Sequence, residues 1–87
     1  MYYVYVIQSK DERKDLYVGY LSDFKRRIQE HNSEMNHGYT KNRQWKLVYY
    51  EAYLSKTDAM QREKALKENG RVKYQLKQRI LSSLDDD

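Results

Sequence analysis

Two tyrosines near the N-terminus are placed where their hydroxyl groups could act together. Tyr5 lies in the apolar run Tyr2–Ile7, and Tyr17 lies in a second short run that ends at Gly19. The segment Gln8–Asp15 between them is polar, so we expect an exposed loop that joins the two strands as a hairpin, with both phenols on one face. The absent side chain at Gly19 would leave room for a ligand beside them. A tyrosine-rich sheet without any site is the alternative, because tyrosine is favoured in strands.

A basic pair follows on a predicted helix. Ser22 is a suitable N-cap, and we expect the helix to run to about Met35. Arg27 and His31 are one turn apart and flank Ile28 on the apolar stripe. A guanidinium and an imidazole would therefore face the sheet.

Glu63 occupies an unexpected position on another predicted helix, which begins at Ser55 or Thr57. It falls in the middle of a stripe of apolar residues. That stripe contains Ala59, Met60 and Leu66. Carboxylates are rarely buried without a partner, because removing their charge from water is costly. Glu63 therefore requires an arginine, a lysine or a metal ion.

A third strand, Trp45–Tyr53, is needed to complete the sheet. Both of its alternating sets of residues are largely apolar, which indicates a central strand or one sandwiched between helices. Simple alternation gives one face the residues Trp45, Leu47, Tyr49 and Tyr53.

The C-terminal part of the chain reads as one more helix. Gly70 is typical of a helix break, and a helix from about Arg71 to Leu84 follows it. The residues expected in the core are spaced by four: Val72, Leu76, Ile80 and Leu84. The predicted order is β-β-α-β-α-α, an α+β fold.

Length and composition limit the class of protein. The 87 residues suit a single domain, 1–84, followed by an acidic tail, 85–87. The absence of cysteine excludes disulfides, thiolate metal sites and cysteine nucleophiles. With no apolar run long enough for a membrane and no signal-peptide pattern, we expect a soluble, cytoplasmic protein with no membrane partner. A monomer is the default expectation for so charged a chain.

The charge favours a polyanionic partner. Seventeen basic residues against thirteen acidic ones give a net charge of +4, and omitting the three acids of the tail gives 17 minus 10, or +7. Ten tyrosines accompany this charge. Phosphate contacts and base stacking would suit such a surface. A lysine-rich surface without a specific partner is the alternative.

Taken together and in order, these residues resemble the GIY-YIG nuclease superfamily, in particular its small standalone bacterial members. The first family motif matches Tyr3-Val4-Tyr5, and the second matches Tyr17-Val18-Gly19. The family's arginine, histidine and glutamate match Arg27, His31 and Glu63. Three positions depart from the pattern: Tyr3 replaces a glycine, Tyr20 stands where some members have lysine, and the late asparagine of the final helix is missing.

The resemblance implies a small three-stranded antiparallel sheet flanked by helices and hydrolysis of DNA phosphodiesters with Mg²⁺ or Mn²⁺. Glu63 would bind the metal ion. Tyr5 or Tyr17 would orient or deprotonate the attacking water, which requires positive charge near the phenol. Arg27 would supply that charge and stabilise the transition state, and His31 would hold a phenol or contact phosphate.

The remaining candidate residues are those expected to bind DNA. The residues expected to contact the backbone are Gly19, Lys25, Lys41, Arg43 and Lys46. A solvated basic strip is the alternative for the last three of them.

The sequence thus predicts a metal-dependent DNA endonuclease with little sequence preference. Duplex, flapped, branched or damaged DNA would be its substrate, with a role in repair or processing. A second interpretation is a nucleic-acid-binding module that retains the scaffold without cleaving. A third is a protein-interaction domain that uses the tyrosine-rich face.

Overall fold

The computed structural model of this chain describes residues 1–22 and 44–85. Within these residues there are three strands and three helices. The strands are β1 (Tyr2–Ser9), β2 (Leu16–Leu21) and β3 (Trp45–Tyr53). The helices are α1 (Lys56–Glu68), α2 (Gly70–Arg79) and α3 (Leu81–Asp85). The predicted α+β class and three-stranded antiparallel sheet are confirmed, and the helix predicted to start at Ser22 lies outside the described residues.

The central strand is β1, because the sheet order is β2-β1-β3 and both neighbours are antiparallel to it. Its residues from Val4 to Ser9 are all buried. The prediction that β3 is central or covered on both faces is wrong: Tyr50 is 53% exposed and Leu47 is 38% exposed. The tyrosine-rich sequence of β3 looks apolar, but a phenol with its hydroxyl in water is stable at a sheet edge.

A β-bulge within β3 changes the face of the sheet on which its alternating side chains lie. Val6 pairs with Tyr49 and Ile7 pairs with Leu47, which leaves Val48 as the extra residue. An extra residue reverses the alternation beyond it. Trp45 and Tyr49 therefore lie on opposite faces of the sheet, and the prediction that they share one face is wrong.

One face of the sheet packs on the helices and forms the helix-side core. Its buried members are Val4, Val6, Val18, Ala59, Leu66, Leu76 and Ile80. The other face carries a separate group, the tyrosine-side cluster. Its buried members are Tyr5, Ile7, Leu21 and Trp45, with Tyr3 and Tyr17 packed against them. Both clusters include tyrosines, because Tyr2, Tyr20, Tyr49 and Tyr53 pack against the helix-side core. The two motif tyrosines, Tyr5 and Tyr17, belong to the tyrosine-side cluster.

Of the two predicted starts of this helix, Ser55 and Thr57, the structure has Ser55 as the N-cap of α1. The Ser55 hydroxyl accepts a hydrogen bond from the Asp58 N–H at 3.2 Å, which satisfies one of the free donors of the first turn. Ala59 and Leu66 are fully buried, but Met60 is 48% exposed. The apolar stripe is therefore narrower than the sequence predicts, and Glu63 lies at its edge rather than in its centre.

Asn69 separates α1 from α2. Its N–H donates to the Ala65 carbonyl at 2.9 Å, and its side-chain oxygen accepts from the N–H groups of Arg71 and Val72 at 3.0 and 3.2 Å. One residue thus ends one helix and caps the next. The break was predicted at Gly70, which instead is the first residue of α2.

The single helix predicted for residues 71–84 is two helices, because Ile80 leaves the helical conformation with φ of −116°. Its side chain is buried with Leu76, so packing into the helix-side core fixes the bend. The predicted core positions are confirmed: Val72 and Leu84 also pack against that core. Asp85, assigned by prediction to the tail, is the last residue of α3.

Candidate active site

Tyr5 and Gly19 lie opposite each other on β1 and β2, and their relation explains why the second position is a glycine. A Cβ atom at residue 19 would overlap the ring and the hydroxyl oxygen of Tyr5. The Tyr5 ring therefore lies directly over the glycine backbone and is only 1% exposed. The expected space for a ligand at Gly19 is filled by the phenol.

The hairpin turn fixes the register that brings these residues together. The buried Ser9 hydroxyl donates to Asp11 Oδ1 at 2.8 Å and accepts from the Asp15 N–H at 2.8 Å. The Ser9 N–H also donates to the Asp15 carbonyl at 2.8 Å. This segment was predicted to be exposed from Gln8 onward, but Gln8 and Ser9 are buried in β1. The buried serine is the reason, since it anchors the loop from inside.

Tyr17 lies two residues before Gly19 on β2, within the tyrosine-side cluster, and is half-buried. Its ring meets Trp45 edge to face, with centroids 6.3 Å apart and an interplanar angle of 66°. The ammonium nitrogen of Lys67 lies 5.7 Å from the Tyr17 ring centroid. The ring is thus held by an indole on one strand and by a cation from α1.

Glu63 has the cation that its position requires. The Lys67 ammonium lies 3.2 Å from Glu63 Oε2, one turn further along α1. The sequence predicted an arginine, a lysine or a metal ion as the partner of this carboxylate. Within the described residues, the partner is a lysine. The Glu63 side chain is 22% exposed and that of Lys67 is 45% exposed. Through Lys67, the carboxylate on α1 is joined to the phenol on β2.

Lys67 was not among the predicted site residues. A signal for it was present, because a lysine four residues after a glutamate is the favoured helical ion-pair spacing. This signal was not distinctive, because several other lysines lie nearby in the sequence.

A divalent cation would find one carboxylate here. No group of three or more metal-ligating side chains occurs within residues 1–22 and 44–85. Glu63 presents a hard oxygen donor with partial access to solvent. Mg²⁺ is often bound through one or two carboxylates while it keeps most of its waters, so Glu63 fits such an ion with water and substrate oxygens completing the shell.

A second carboxylate cluster, not predicted from the sequence, lies on the other face of the sheet. Glu51 on β3 forms a bidentate ion pair with Arg62 of α1, at 3.0 Å from Nε and from Nη2. Tyr49 donates to Glu51 Oε2 at 2.6 Å, and Tyr53 donates to Glu51 Oε1. A Tyr-x-Glu-x-Tyr alternation places all three on one face, which was the available signal.

The electrostatics of this cluster follow from its contacts. Burial opposes ionisation of Glu51, but hydrogen bonds from Arg62, Tyr49 and Tyr53 outweigh it and hold the Glu51 pKa below its usual value. Burial and the hydrogen bond to Glu51 raise the pKa of Tyr49 and of Tyr53 to about 12. The carboxylate is therefore ionised, and each of its oxygens accepts hydrogen bonds from a phenol and from the guanidinium.

A groove of about 590 Å³ lies on the helix side, away from the tyrosine-side cluster. Its lining residues are Arg62, Val72, Tyr74, Gln75, Leu76, Gln78 and Arg79. None of them is a predicted site residue, and the groove contains no acidic group. This groove therefore lies apart from the predicted site residues, and the chemistry of the tyrosine side is the more specific indicator of a site.

Of the other predicted site residues, one lies in the described part of the chain and the rest lie outside it. Lys46 lies on β3 and is half-buried. The remaining ones, Arg27, His31, Lys25, Lys41 and Arg43, lie outside the described residues. Among the helices of the described part, none combines the length and the apolar character needed to cross a membrane.

Comparisons with known proteins agree with the fold and the motifs. Residues 1–75 match the model of the GIY-YIG catalytic domain. A UPF0213 protein of Haloquadratum walsbyi is 37% identical over 75 residues, covering 85% of this chain and 82% of that protein. A UPF0213 protein of Staphylococcus saprophyticus is 38% identical over 73 residues, covering 83% of this chain and 87% of that protein.

A solved structure is similar as well. The solution NMR structure of the UPF0213 protein BH0048 from Bacillus halodurans has a TM-score of 0.55 and 36% sequence identity, and it covers 98% of this chain and 86% of that one. The tyrosine hairpin, the sheet and the glutamate-bearing helix all lie within the matched residues. The chain belongs to the GIY-YIG family, a superfamily of nucleases, alongside the small UPF0213 proteins of bacteria and archaea.

Proposed function

We propose that this protein is a divalent-metal-dependent endonuclease that hydrolyses DNA phosphodiester bonds with little sequence preference. One observation carries the proposal: the Glu63 carboxylate of α1 and the Tyr17 phenol of β2 meet at the same ammonium group, that of Lys67. A structural role alone does not require a partly exposed carboxylate and a phenol to share one ammonium group. The family match to a catalytic domain supports the same conclusion.

The two phenols would have different tasks. Tyr5 is 1% exposed and its ring is held against Gly19, so it is suited to fixing the geometry of the site. Tyr17 is half-buried, so its hydroxyl is better placed to contact an attacking water. Hydrogen bonding from such a phenol would orient the water for in-line attack on phosphorus.

Glu63 would hold the divalent cation. A bound Mg²⁺ or Mn²⁺ supplies Lewis-acid stabilisation of the phosphate oxygens. Arg27 and His31 complete the proposed set by the family resemblance, as stabilisers of charge on the phosphate. Backbone contacts fall to Lys25, Lys41, Arg43 and Lys46, whose charges would favour DNA without reading its bases. Flapped, branched or damaged duplexes, recognised by shape, are the proposed substrates.

The test is cleavage of duplex, flapped, branched and single-stranded DNA with Mg²⁺ or Mn²⁺. The variants are Glu63→Gln and Tyr17→Phe. Glu68→Gln is the matched control, because Glu68 is an exposed glutamate on the same helix and the change in charge is the same. We expect cutting by the native protein and by the Glu68 variant, and a large loss in the other two.

Other outcomes would revise the proposal. Equal cutting by native protein and Glu63→Gln would assign the activity to a contaminant. No cutting by any protein, with salt-sensitive DNA binding retained, would indicate a non-catalytic nucleic-acid-binding module. Absence of DNA binding at low salt would favour a protein-interaction domain that uses the tyrosine-side cluster.

A further inference from the structure

We infer that Lys67 is a positioning residue that occupies Glu63 in the free protein and moves to a DNA phosphate when substrate binds, which frees the carboxylate for the metal ion. The inference rests on the proposed function. It deepens that function, because it makes binding of DNA and binding of metal depend on each other through one side chain.

The first argument is the dual contact of the ammonium group. Lys67 Nζ lies 3.2 Å from Glu63 Oε2 and 5.7 Å from the centroid of the Tyr17 ring. It therefore lies between the carboxylate proposed to bind the metal and the phenol proposed to contact water. A positive charge at this point neutralises Glu63 and also faces any phosphate that approaches Tyr17.

The second argument is that this contact is easily exchanged. The Lys67 side chain is 45% exposed, and its contact with Glu63 joins a single pair of atoms. Lysine is a flexible point charge, and exposed pairs at this helical spacing are weak. Arg62 of the same helix makes three hydrogen bonds to Glu51 and is not exchangeable in this way.

The third argument is electrostatic exclusion. A divalent cation bound to Glu63 would lie within a few ångströms of the ammonium, and two like charges at such a distance repel strongly. Lys67 and the metal ion therefore compete for one carboxylate. A phosphate group resolves the competition, because it offers the lysine a second anion. By linkage, DNA then strengthens metal binding and metal strengthens DNA binding by the same factor.

The test uses Lys67→Met, which keeps an unbranched side chain beside Tyr17 and removes the charge. The control is Lys64→Met, an exposed lysine on the same helix whose loss changes the net charge equally. The first readout is binding of Mn²⁺ alone, followed by electron paramagnetic resonance of the free ion. We expect the Mn²⁺ dissociation constant of Lys67→Met to fall by at least about fivefold, and that of Lys64→Met to fall by less than about twofold.

The second readout is DNA binding without metal, measured by anisotropy of a short fluorescent duplex in EDTA over a series of salt concentrations. We expect Lys67→Met to bind more weakly and to lose about 0.9 from the slope of log affinity against log salt, the amount for one phosphate contact. An equal loss of slope in Lys64→Met, or unchanged Mn²⁺ affinity in Lys67→Met, would overturn the inference.

Glu63→Gln separates this inference from the proposed function. If that variant binds Mn²⁺ as the native protein does, Glu63 is not the metal ligand and the proposed function fails. If it loses Mn²⁺ while Lys67→Met behaves like the native protein, only the inference fails. Lys67→Gln repeats the measurement should the methionine variant not fold. If neither variant folds, Lys67 is a structural residue and the inference is wrong.

Discussion

Two carboxylates, that of Glu51 on β3 and that of Glu63 on α1, have opposite surroundings. Glu51 receives hydrogen bonds from a guanidinium and two phenols, and its side chain is 15% exposed. Among the residues that the structure describes, Glu63 contacts one half-exposed ammonium group. A saturated carboxylate has no capacity left for a ligand, whereas an under-coordinated one can exchange its partner for a metal ion. The number of donors, more than burial, distinguishes the structural acid from the candidate catalytic one.

The largest expected effect follows from Glu63→Gln. DNA cleavage should fall by at least about 1000-fold, or about 4 kcal/mol in activation free energy, because the proposed metal ligand is lost. The free energy of unfolding should change by less than about 0.5 kcal/mol, since Glu63 loses only its contact with a half-exposed lysine. Single-turnover cleavage and urea unfolding of the same sample measure both. A large loss of stability would place Glu63 in the same class as Glu51.

Glu51→Gln should show the reverse pattern. Removal of the charge leaves Arg62 partly buried beside a neutral amide, so we expect a loss of about 3 kcal/mol in the free energy of unfolding. Cleavage per folded molecule, measured at low temperature, should stay within about threefold of the native rate. Urea unfolding provides the measurement, with Glu68→Gln as its control. Lost cleavage with native stability would contradict the assignment.

Stability should depend on pH through the same cluster. The pKa of Glu51 is lowered in the folded state, so its contribution is present above the ordinary value of 4.5 and is lost as the pH falls below it. Tyr49 and Tyr53 have pKa values raised to about 12, so their contribution is present below the ordinary value of 10.0 and is lost as the pH rises towards 12.

Urea unfolding across the pH range measures both changes. In Glu51→Gln, the acid dependence should be weaker than in the native protein. If native and variant curves stay parallel below pH 4.5, ionisation of Glu51 is not the source.

Tyr53→Phe offers a smaller test of the saturated carboxylate. It removes one of the phenol donors to Glu51 and should cost about 1 kcal/mol of unfolding free energy. Tyr74→Phe, at a site that is 62% exposed, is the control and should be nearly neutral. Equal effects of the two variants would mean that the phenol hydrogen bond contributes nothing measurable.

The smallest expected effect is on the lysine of the candidate site. Lys67→Met should change the free energy of unfolding by only about 0.3–0.5 kcal/mol, because exposed pairs at this spacing are weak. Arg62→Met should cost several times more, since three hydrogen bonds to Glu51 are lost. Thermal unfolding of the two variants gives the comparison. Similar losses would remove the distinction between a fixed and an exchangeable cation.

Much of the fold was predicted from the sequence, whereas the contrast between Glu51 and Glu63 was not. Apolar periodicity predicted the three strands and the core role of Leu76 and Ile80, because each depends on local spacing. Residue type limited the helix cap to Ser55 or Thr57. The tyrosine face was predicted for the same reason, since Tyr5 and Tyr17 follow strict alternation within regular strands.

Most of the misses depend on contacts between elements. The bulge at Val48 leaves no mark in composition, yet it decides which face Trp45 and Glu51 occupy. The glycine at residue 19 was interpreted as open space because the ring that fills it comes from the neighbouring strand. Lys67 and Glu51 were overlooked because their importance comes from a partner's position and not from their own residue type.

The bulge in β3 also has a consequence for how the protein can change. The extra residue shifts the alternation of side chains between the two halves of β3. The first half therefore places Trp45 on the tyrosine side, and the second half places Glu51 on the helix side. Each half can then vary under its own constraint. Deletion of Val48 would restore strict alternation, so one half of the strand would change face. Either Trp45 would lose its contact with Tyr17, or Glu51 would lose its ion pair with Arg62 of α1.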